Sequence, residues 1–89
     1  MLYMITEHFR NNDPGPVGER FRDRGRLIPE GSGVEYVASW MALDGSVCFQ
    51  IMEAPSREAL DGWIANWRDL VDFEVTPIAT SADFWARRK

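Results

Sequence analysis

Apolar and polar residues along the chain repeat with two different periods, which predict four strands and two main helices. Alternation of apolar and polar residues, with many β-branched and aromatic side chains, is typical of strands. Apolar residues three or four positions apart are typical of amphipathic helices. The predicted strands cover residues 2–9, 34–43, 46–54 and 71–79. A helical pattern lies between the first and second strands, and another lies between the third and fourth.

Capping residues and apolar stripes define the two helices. Asp13 is the predicted cap of the first helix and Pro14 suits its first position, whereas Ser56 caps the second. Gly25 would let the first helix approach the sheet closely, at a cost of about 1 kcal/mol in helix propensity relative to alanine. The stripe of the first helix is Val17, Phe21, Gly25 and Ile28, and that of the second is Leu60, Trp63, Ile64 and Trp67.

A turn signal joins the second and third strands. Asp44-Gly45 is typical of a two-residue hairpin turn and places Leu43 opposite Ser46. Counting outward from the turn gives the remaining cross-strand pairs. These are Met41 with Cys48, Trp40 with Phe49, Ser39 with Gln50, Ala38 with Ile51, Val37 with Met52 and Tyr36 with Glu53.

The order of elements, β-α-β-β-α-β, predicts the fold class. Right-handed crossovers put both helices on one face of the sheet. The sequence therefore predicts an α+β fold, a ferredoxin-like sandwich with an antiparallel sheet ordered 4-1-3-2. A short C-terminal helix follows, and the other face of the sheet is left open.

The two alternating sets of strand residues are expected to lie on different faces of this sheet. We expect the aromatic set, with Trp40 and Phe49, to lie under the helices. Mixed Met, Thr, Ser, Gln and His side chains on the open face would suit two sheets that enclose a partly wet cavity. This predicts a homodimer through the open face, with room for a small organic ligand. The open-face set is Met4, Thr6, His8, Ser39, Met41, Cys48, Gln50, Met52, Glu74 and Thr76.

Length and composition limit the class of protein. A chain of 89 residues is expected to form a single domain, residues 1–89. Its net charge of −4 gives no basic face for phosphates, so no nucleic-acid partner is expected. No apolar run approaches the ~18 residues of a membrane span, and the N-terminus lacks the pattern of a signal peptide. These features predict a cytoplasmic protein without a membrane partner.

Candidate binding residues are few. His8 could act as a base or hydrogen-bond donor to a cavity ligand, or be a half-exposed histidine at a strand end. Ser39 and Gln50 could bind a carbonyl or hydroxyl group, or pair across a dimer interface. Arg24 could reach the cavity mouth, and Glu74 lies on the predicted open face. No catalytic residue can be assigned.

Metal and cofactor sites are not expected. One histidine and one cysteine without closely spaced ligands do not form a metal site. Cys48 lacks a neighbour that would lower its pKa, so it is read as a small buried side chain. There is no glycine-rich phosphate loop. The RNA-recognition motif has the same topology, but Phe49, the aromatic of the third strand, is expected under the helices and could not stack bases.

The tail carries a capped helical turn. Ser81 is the predicted cap, Asp83 lies near its positive end, and Arg87, Arg88 and Lys89 lie near its negative end. So short a helix needs packing to be stable. Phe84 and Trp85 could supply it, one docking on its own subunit and the other on the partner or the cavity rim. The alternative is a frayed terminus.

Five segments of the chain are distinctive: MLYMITEHF, ERFRDRGR, GVEYVASW, CFQIME and WRDLVDFE. Together they resemble a small bacterial family, domain of unknown function 3303, over nearly the whole chain. The resemblance implies no assigned activity. By architecture the family is similar to the dimeric α/β-barrel group, which includes cofactor-free quinol monooxygenases, haem-degrading oxygenases and muconolactone-type isomerases. We expect a small-molecule-binding or dimerisation module, or alternatively a cofactor-independent monooxygenase or isomerase that acts on a small organic substrate in the dimer cavity.

Overall fold

One four-stranded antiparallel sheet carries two helices on one face in the computed structural model, which describes residues 1–88. The strands are β1 (Leu2–Phe9), β2 (Glu35–Met41), β3 (Val47–Glu53) and β4 (Val71–Ile78). The helices are α1 (Gly15–Arg24), α2 (Arg57–Ile64) and α3 (Ser81–Arg87), and a 3-10 turn covers Arg10–Asn12. The sheet order β2-β3-β1-β4 is the predicted order read from its other edge. The α+β, ferredoxin-like fold is therefore confirmed.

The main hydrophobic core lies between this sheet and α2. The central strand β1 buries every second side chain along its whole length. Fully burying a large apolar side chain contributes about 1.5–3 kcal/mol, so the core residues dominate the stability of the fold. They are Tyr3, Ile5, Val34, Met52, Ala54, Leu60, Trp63, Ile64 and Trp67.

The second helix follows its sequence pattern closely. The Ser56 hydroxyl accepts a hydrogen bond from the Ala59 amide at 3.1 Å, which confirms the predicted cap. Trp67 lies beyond the end of α2 but is buried with the rest of the stripe. Pro77 lies on the edge strand β4, the place in a sheet where proline is tolerated, as the sequence predicts.

The first helix is shorter than predicted. Gly25 has a φ of 71° and ends α1, so its predicted role in bringing a continuing helix near the sheet was wrong. The Gly25 amide donates to the Phe21 carbonyl at 2.8 Å, and Ile28 packs against the core from the following loop. At the other end, the Asp13 carboxylate accepts from the Gly15 amide at 2.9 Å.

The hairpin keeps its predicted register near the turn but not its predicted faces. Trp40 pairs with Phe49 and Ser39 with Gln50, as expected, although four residues, 43–46, form the loop. A bulge at Val37 then shifts the register. Gln50 is buried beneath the helices, as are Cys48 and Met52, whereas Trp40 and Phe49 are 59% and 41% exposed. The prediction that Ser39, Met41, Cys48, Gln50 and Met52 share the open face was therefore wrong.

The pairing of β1 with β3 explains the reversal. Residues directly opposite each other in an antiparallel pair lie on the same face. Gln50 lies opposite Ile5 and Cys48 opposite Glu7, so both share the buried face of β1. The Trp63 ring packs edge-to-face on Phe73, with centroids 6.0 Å apart, and fills space over the sheet. Smaller or more flexible side chains on β3 fit beneath the helices.

The exposed Phe49 removes one reason for rejecting the RNA-recognition motif. This aromatic lies on the open face, opposite Thr6 of β1. The open face of β1 nevertheless has no Phe, Tyr or Trp, and its imidazole, His8, is paired with Glu74, whereas that motif stacks bases on both strands. The net charge of −4 also stands against a phosphate partner.

The tail forms the predicted short helix, with a different cap. The Thr80 hydroxyl, not that of Ser81, accepts from the Asp83 amide at 3.1 Å. Phe84 and Trp85 pack edge-to-face with centroids 5.2 Å apart, and 45% and 66% of their surfaces are exposed. Phe84 lines a groove beside β1 and β4, and the partner contact remains a prediction. Lys89 lies outside the described residues.

Candidate ligand-binding site

A cleft opens between α1 and the helix-covered face of the sheet. Its inner pocket has a volume of about 60 Å³ and its outer part about 370 Å³. The two parts share five lining residues, so they form one continuous cleft. The inner pocket is lined by Glu7, Val17, Phe21, Arg26, Gln50, Trp63, Trp67 and Val71. The outer part adds Phe9, Pro14, Gly18, Ser39, Met41 and Cys48.

Glu7 is the most unusual residue of this cleft. The alternation of β1 places its carboxyl on the buried face, and only 8% of the residue is exposed. Burial raises the pKa of Glu7 to about 7, because desolvation outweighs the Cys48 and Arg26 interactions that lower it. A carboxyl with this pKa can both donate and accept a proton near neutral pH.

Cys48 lies opposite Glu7 on β3. Burial, reinforced by the neighbouring Glu7 carboxyl, raises the pKa of this thiol to about 12. Because the nucleophile in cysteine chemistry is the thiolate, Cys48 stays neutral and unreactive at physiological pH. The burial and the raised pKa of this thiol agree with the interpretation of Cys48 as a small buried side chain.

Gln50 and Ser39 form a polar strip on the cleft wall. Gln50 is 5% exposed, and its amide Nε2 donates to the Met52 sulfur at 3.2 Å, a weak acceptor. The Ser39 and Tyr36 hydroxyls are hydrogen-bonded at 2.8 Å. The structure therefore brings together these two predicted site residues, under the helices and not on the open face.

Arg26 is held at the cleft by its own backbone. Its carbonyl oxygen accepts hydrogen bonds from the indole N–H groups of Trp63 at 3.0 Å and Trp67 at 2.9 Å. Its guanidinium carbon lies 3.6 Å from the ring centroid of Tyr36 and 5.0 Å from that of Phe21. The cleft thus contains a fixed positive charge near Glu7.

The other predicted site residues lie elsewhere. His8 and Glu74 are on the open face, where His8 Nε2 and Glu74 Oε1 are 2.8 Å apart in an exposed pair. Arg24 is exposed at the end of α1 and lines neither part of the cleft. The five predicted residues therefore do not form one site.

Two important cleft residues were missed from the sequence. Glu7 had a signal, because strand alternation places it between Ile5 and Phe9 on an otherwise apolar face. Arg26 had none, since it lies in a loop whose next residue, Leu27, has a positive φ of 59°. No regular pattern predicts the direction of a side chain there.

Within residues 1–88, no group of three or more His, Cys, Asp or Glu side chains could hold a metal ion. No helix in the same range is long and apolar enough to cross a membrane.

The fold and cleft define a small ferredoxin-like α+β protein with a buried carboxyl facing an internal cleft. The chain belongs to the family domain of unknown function 3303 (DUF3303), whose model matches residues 1–88. Its fold is similar to the X-ray crystal structure of protein Atu4242 from Agrobacterium tumefaciens, with a TM-score of 0.55. The two are 17% identical over 91% of this chain and 96% of that one, a likeness of fold alone. No curated protein matches the chain.

We expect the substitution Glu7→Gln to remove a pH dependence of stability. Between pH 4.5 and about 7 the folded protein holds a proton on Glu7 that the unfolded chain has lost. The free energy of unfolding therefore falls as pH rises through this window, by about 3 kcal/mol in total, and this contribution is constant above it. Urea denaturation of both proteins at pH 5 and pH 8 measures the difference.

The matched control is Glu30→Gln, at an exposed position in the loop before β2. It should keep the pH dependence of the wild type. A Glu7→Gln protein whose stability still falls as the wild type's does would show that Glu7 is not the titrating group.

Proposed function

We propose that this protein binds a small organic molecule in the cleft beneath α1, with Glu7 as its polar anchor. The supporting observation is that Glu7, a residue with only 8% of its surface exposed, lines an open cleft and forms none of the ion pairs found among the described residues. Ligand pockets are typically apolar, with a few converging polar groups. Glu7, Gln50 and Arg26 are such groups here.

The energetics of Glu7 support a binding role. Burial of a polar group without a strong hydrogen-bond partner costs free energy. The side chain that hydrogen-bonds to the Glu7 carboxyl is the Cys48 thiol, a weak donor. A ligand that donates to Glu7 or accepts from it would offset this cost.

The size of the cleft also fits a small ligand. Its outer part, about 370 Å³, falls within the usual range of ligand pockets, roughly 300–1,000 Å³. Phe9, Phe21 and Met41 give this part apolar walls. A single ring with one or two polar substituents would fit in it.

We expect the variant Gly18→Phe to block binding of phenol, a neutral one-ring probe. A Cβ added at Gly18 meets no atom within 4 Å, so a side chain can extend into the outer cleft without a clash. In the wild type, phenol at millimolar concentration should shift the indole N–H NMR signals of Trp63 and Trp67. The signals of Trp40 and Trp85, which lie outside the cleft, should not move.

Glu19→Phe is the control, because this neighbouring exposed position on α1 does not line the cleft. It should bind phenol as the wild type does. Equal shifts in the wild type and Gly18→Phe, or no shift in the wild type, would contradict binding in this cleft.

The homodimer expected from the sequence is part of the proposal. The open face of the sheet carries Met4, Trp40, Phe49 and Ile51 on three adjacent strands. A contiguous exposed apolar surface commonly marks an interface, and a second copy offers the same surface for a symmetric contact. Such a dimer would leave the cleft on the opposite, helix-covered face of each subunit.

We expect Phe49→Lys to convert a dimer into a monomer. The substitution places a charge in the middle of the open face, whereas the side chain lies outside the core, so folding should be preserved. Sedimentation velocity at micromolar concentration measures the state. Leu43→Lys, at the fully exposed hairpin tip, is the control and should remain dimeric. A monomeric wild type would refute the dimer.

A second candidate function is proton transfer on the bound molecule. Of the two reactions suggested by the fold resemblance, oxidation and isomerisation, the Glu7 pKa of about 7 favours isomerisation. Ionised Glu7 would remove a proton next to a carbonyl, Arg26 would stabilise the resulting enolate, and the protonated carboxyl would return a proton.

For this second function we expect the protein to catalyse exchange of the α-hydrogens of cyclohexanone for deuterium in D₂O. NMR measures the rate of this exchange. The rate should rise as Glu7 ionises through pH 7 and be lost in Glu7→Gln. Glu74→Gln, on the open face, should exchange as the wild type does. Exchange that survives in Glu7→Gln would exclude Glu7 as the base.

A further inference from the structure

We propose that the ligand of this cleft is a small monoanion, a carboxylate carried on a flat and largely apolar body. This inference rests on the proposed function, because it names the chemical class that the same cleft would take. It follows from the arrangement of Arg26, Glu7 and the apolar walls.

Arg26 supplies the only fixed charge among the described residues that line the cleft. It forms none of the ion pairs found in residues 1–88. Its guanidinium instead stacks on the rings of Tyr36 and Phe21. A stacked guanidinium keeps its N–H groups in the plane of the group, where they can bind a carboxylate in a bidentate manner.

Glu7 can cooperate with Arg26 in binding an anion. Its protonated carboxyl donates an O–H to the ligand oxygen, a short and strong type of hydrogen bond. Ionised Glu7 would repel the same ligand. Because the carboxyl titrates close to pH 7, the cleft accepts an anion best on the acidic side of neutrality.

Few other groups that face Glu7 are charged or titratable. On β3 the Cys48 thiol stays neutral, since its pKa is raised to about 12. Tyr36 and Ser39 of β2 contribute hydroxyls that bond to each other. The contributions of α1, α2 and β4 to the cleft are uncharged: Val17, Gly18, Phe21, Trp63 and Val71, with Trp67 from the segment after α2.

The dimensions of the cleft assign an orientation to the ligand. The inner pocket of about 60 Å³ is too small for a benzene ring, which occupies a cavity of about 150 Å³. It has room for a carboxylate, and Glu7, Arg26 and Gln50 all line it. The ring would remain in the outer part, between Phe9, Phe21 and Met41.

Three probes of equal size test the class of ligand: benzoate, its neutral analogue benzamide and the cation benzylamine. Each is titrated into the full chain at pH 6 and pH 8, with the Trp63 and Trp67 indole signals as the readout. We expect benzoate to bind most tightly, and its affinity to fall about tenfold between the two pH values as the protonated fraction of Glu7 falls. Benzamide should show no such fall.

Three variants assign the effect to particular groups. Glu7→Gln should keep benzoate binding but lose its pH dependence. Arg26→Gln should weaken benzoate at least tenfold and abolish the preference over benzamide. The control is Arg24→Gln. It removes an equal charge two positions before Arg26, from a side chain that lies outside the cleft, and this variant should bind benzoate as the wild type does.

The outcomes separate this inference from the proposed function. Equal binding of benzamide and benzoate, with shifts at both tryptophans, would overturn the inference that the ligand is an anion but would still support ligand binding in the cleft. Preference for benzylamine, or affinity for benzoate that rises with pH, would also overturn it. If none of the three binds, the anion is refuted, and the phenol titration decides separately whether the cleft binds ligands. The pH arm needs no variant, so it holds even if Arg26→Gln fails to fold.

Discussion

The register between β1 and β3 determines which side chains this protein buries. Ile5 lies opposite Gln50 and Glu7 opposite Cys48, and side chains that face each other across two strands share a side of the sheet. A slip of one residue between these strands would turn one strand's buried set to the open face. The main core and the candidate site depend on the same register, so the site could not be lost by slippage without loss of the core.

A second constraint fixes the positive charge of the site. The Arg26 carbonyl accepts from both Trp63 and Trp67, two residues that are themselves buried in the main core. These bonds attach an irregular loop to the main core. Each partly buried hydrogen bond contributes about 1 kcal/mol, whereas the solvent-exposed Arg20–Asp69 ion pair, which joins α1 to the segment before β4, is screened by water and adds little. The tryptophans therefore position Arg26 as well as filling the core.

Local pattern was enough to predict the elements and the buried face of β1, because its Tyr3, Ile5 and Phe9 alternate with smaller or polar residues. It was not enough for β3, because each of its two alternating sets of residues, the one with Phe49 and the one with Met52, contains both apolar and polar side chains. Their faces depend on pairing with β1 and on the space left by Trp63, which are tertiary properties. The bulge at Val37 and the path of the loop around Arg26 likewise leave no periodic signal. Glu7 could have been singled out, since a carboxyl among buried apolar residues is costly.

Glu7 and Arg26 share one cleft, yet the pKa of Glu7 is raised and not lowered. An ion pair in close contact would favour the charged carboxylate, so the loss of water around Glu7 outweighs the attraction of Arg26. Arg26 is instead occupied by the rings of Phe21 and Tyr36, with its charge only partly compensated. The same protonation equilibrium of Glu7 would then act on both folding and the proposed binding of an anion. The pH at which the free energy of unfolding stops falling is also the pH at which Glu7 loses its proton. Above that pH, Glu7 would no longer donate a hydrogen bond to a bound anion and would repel it.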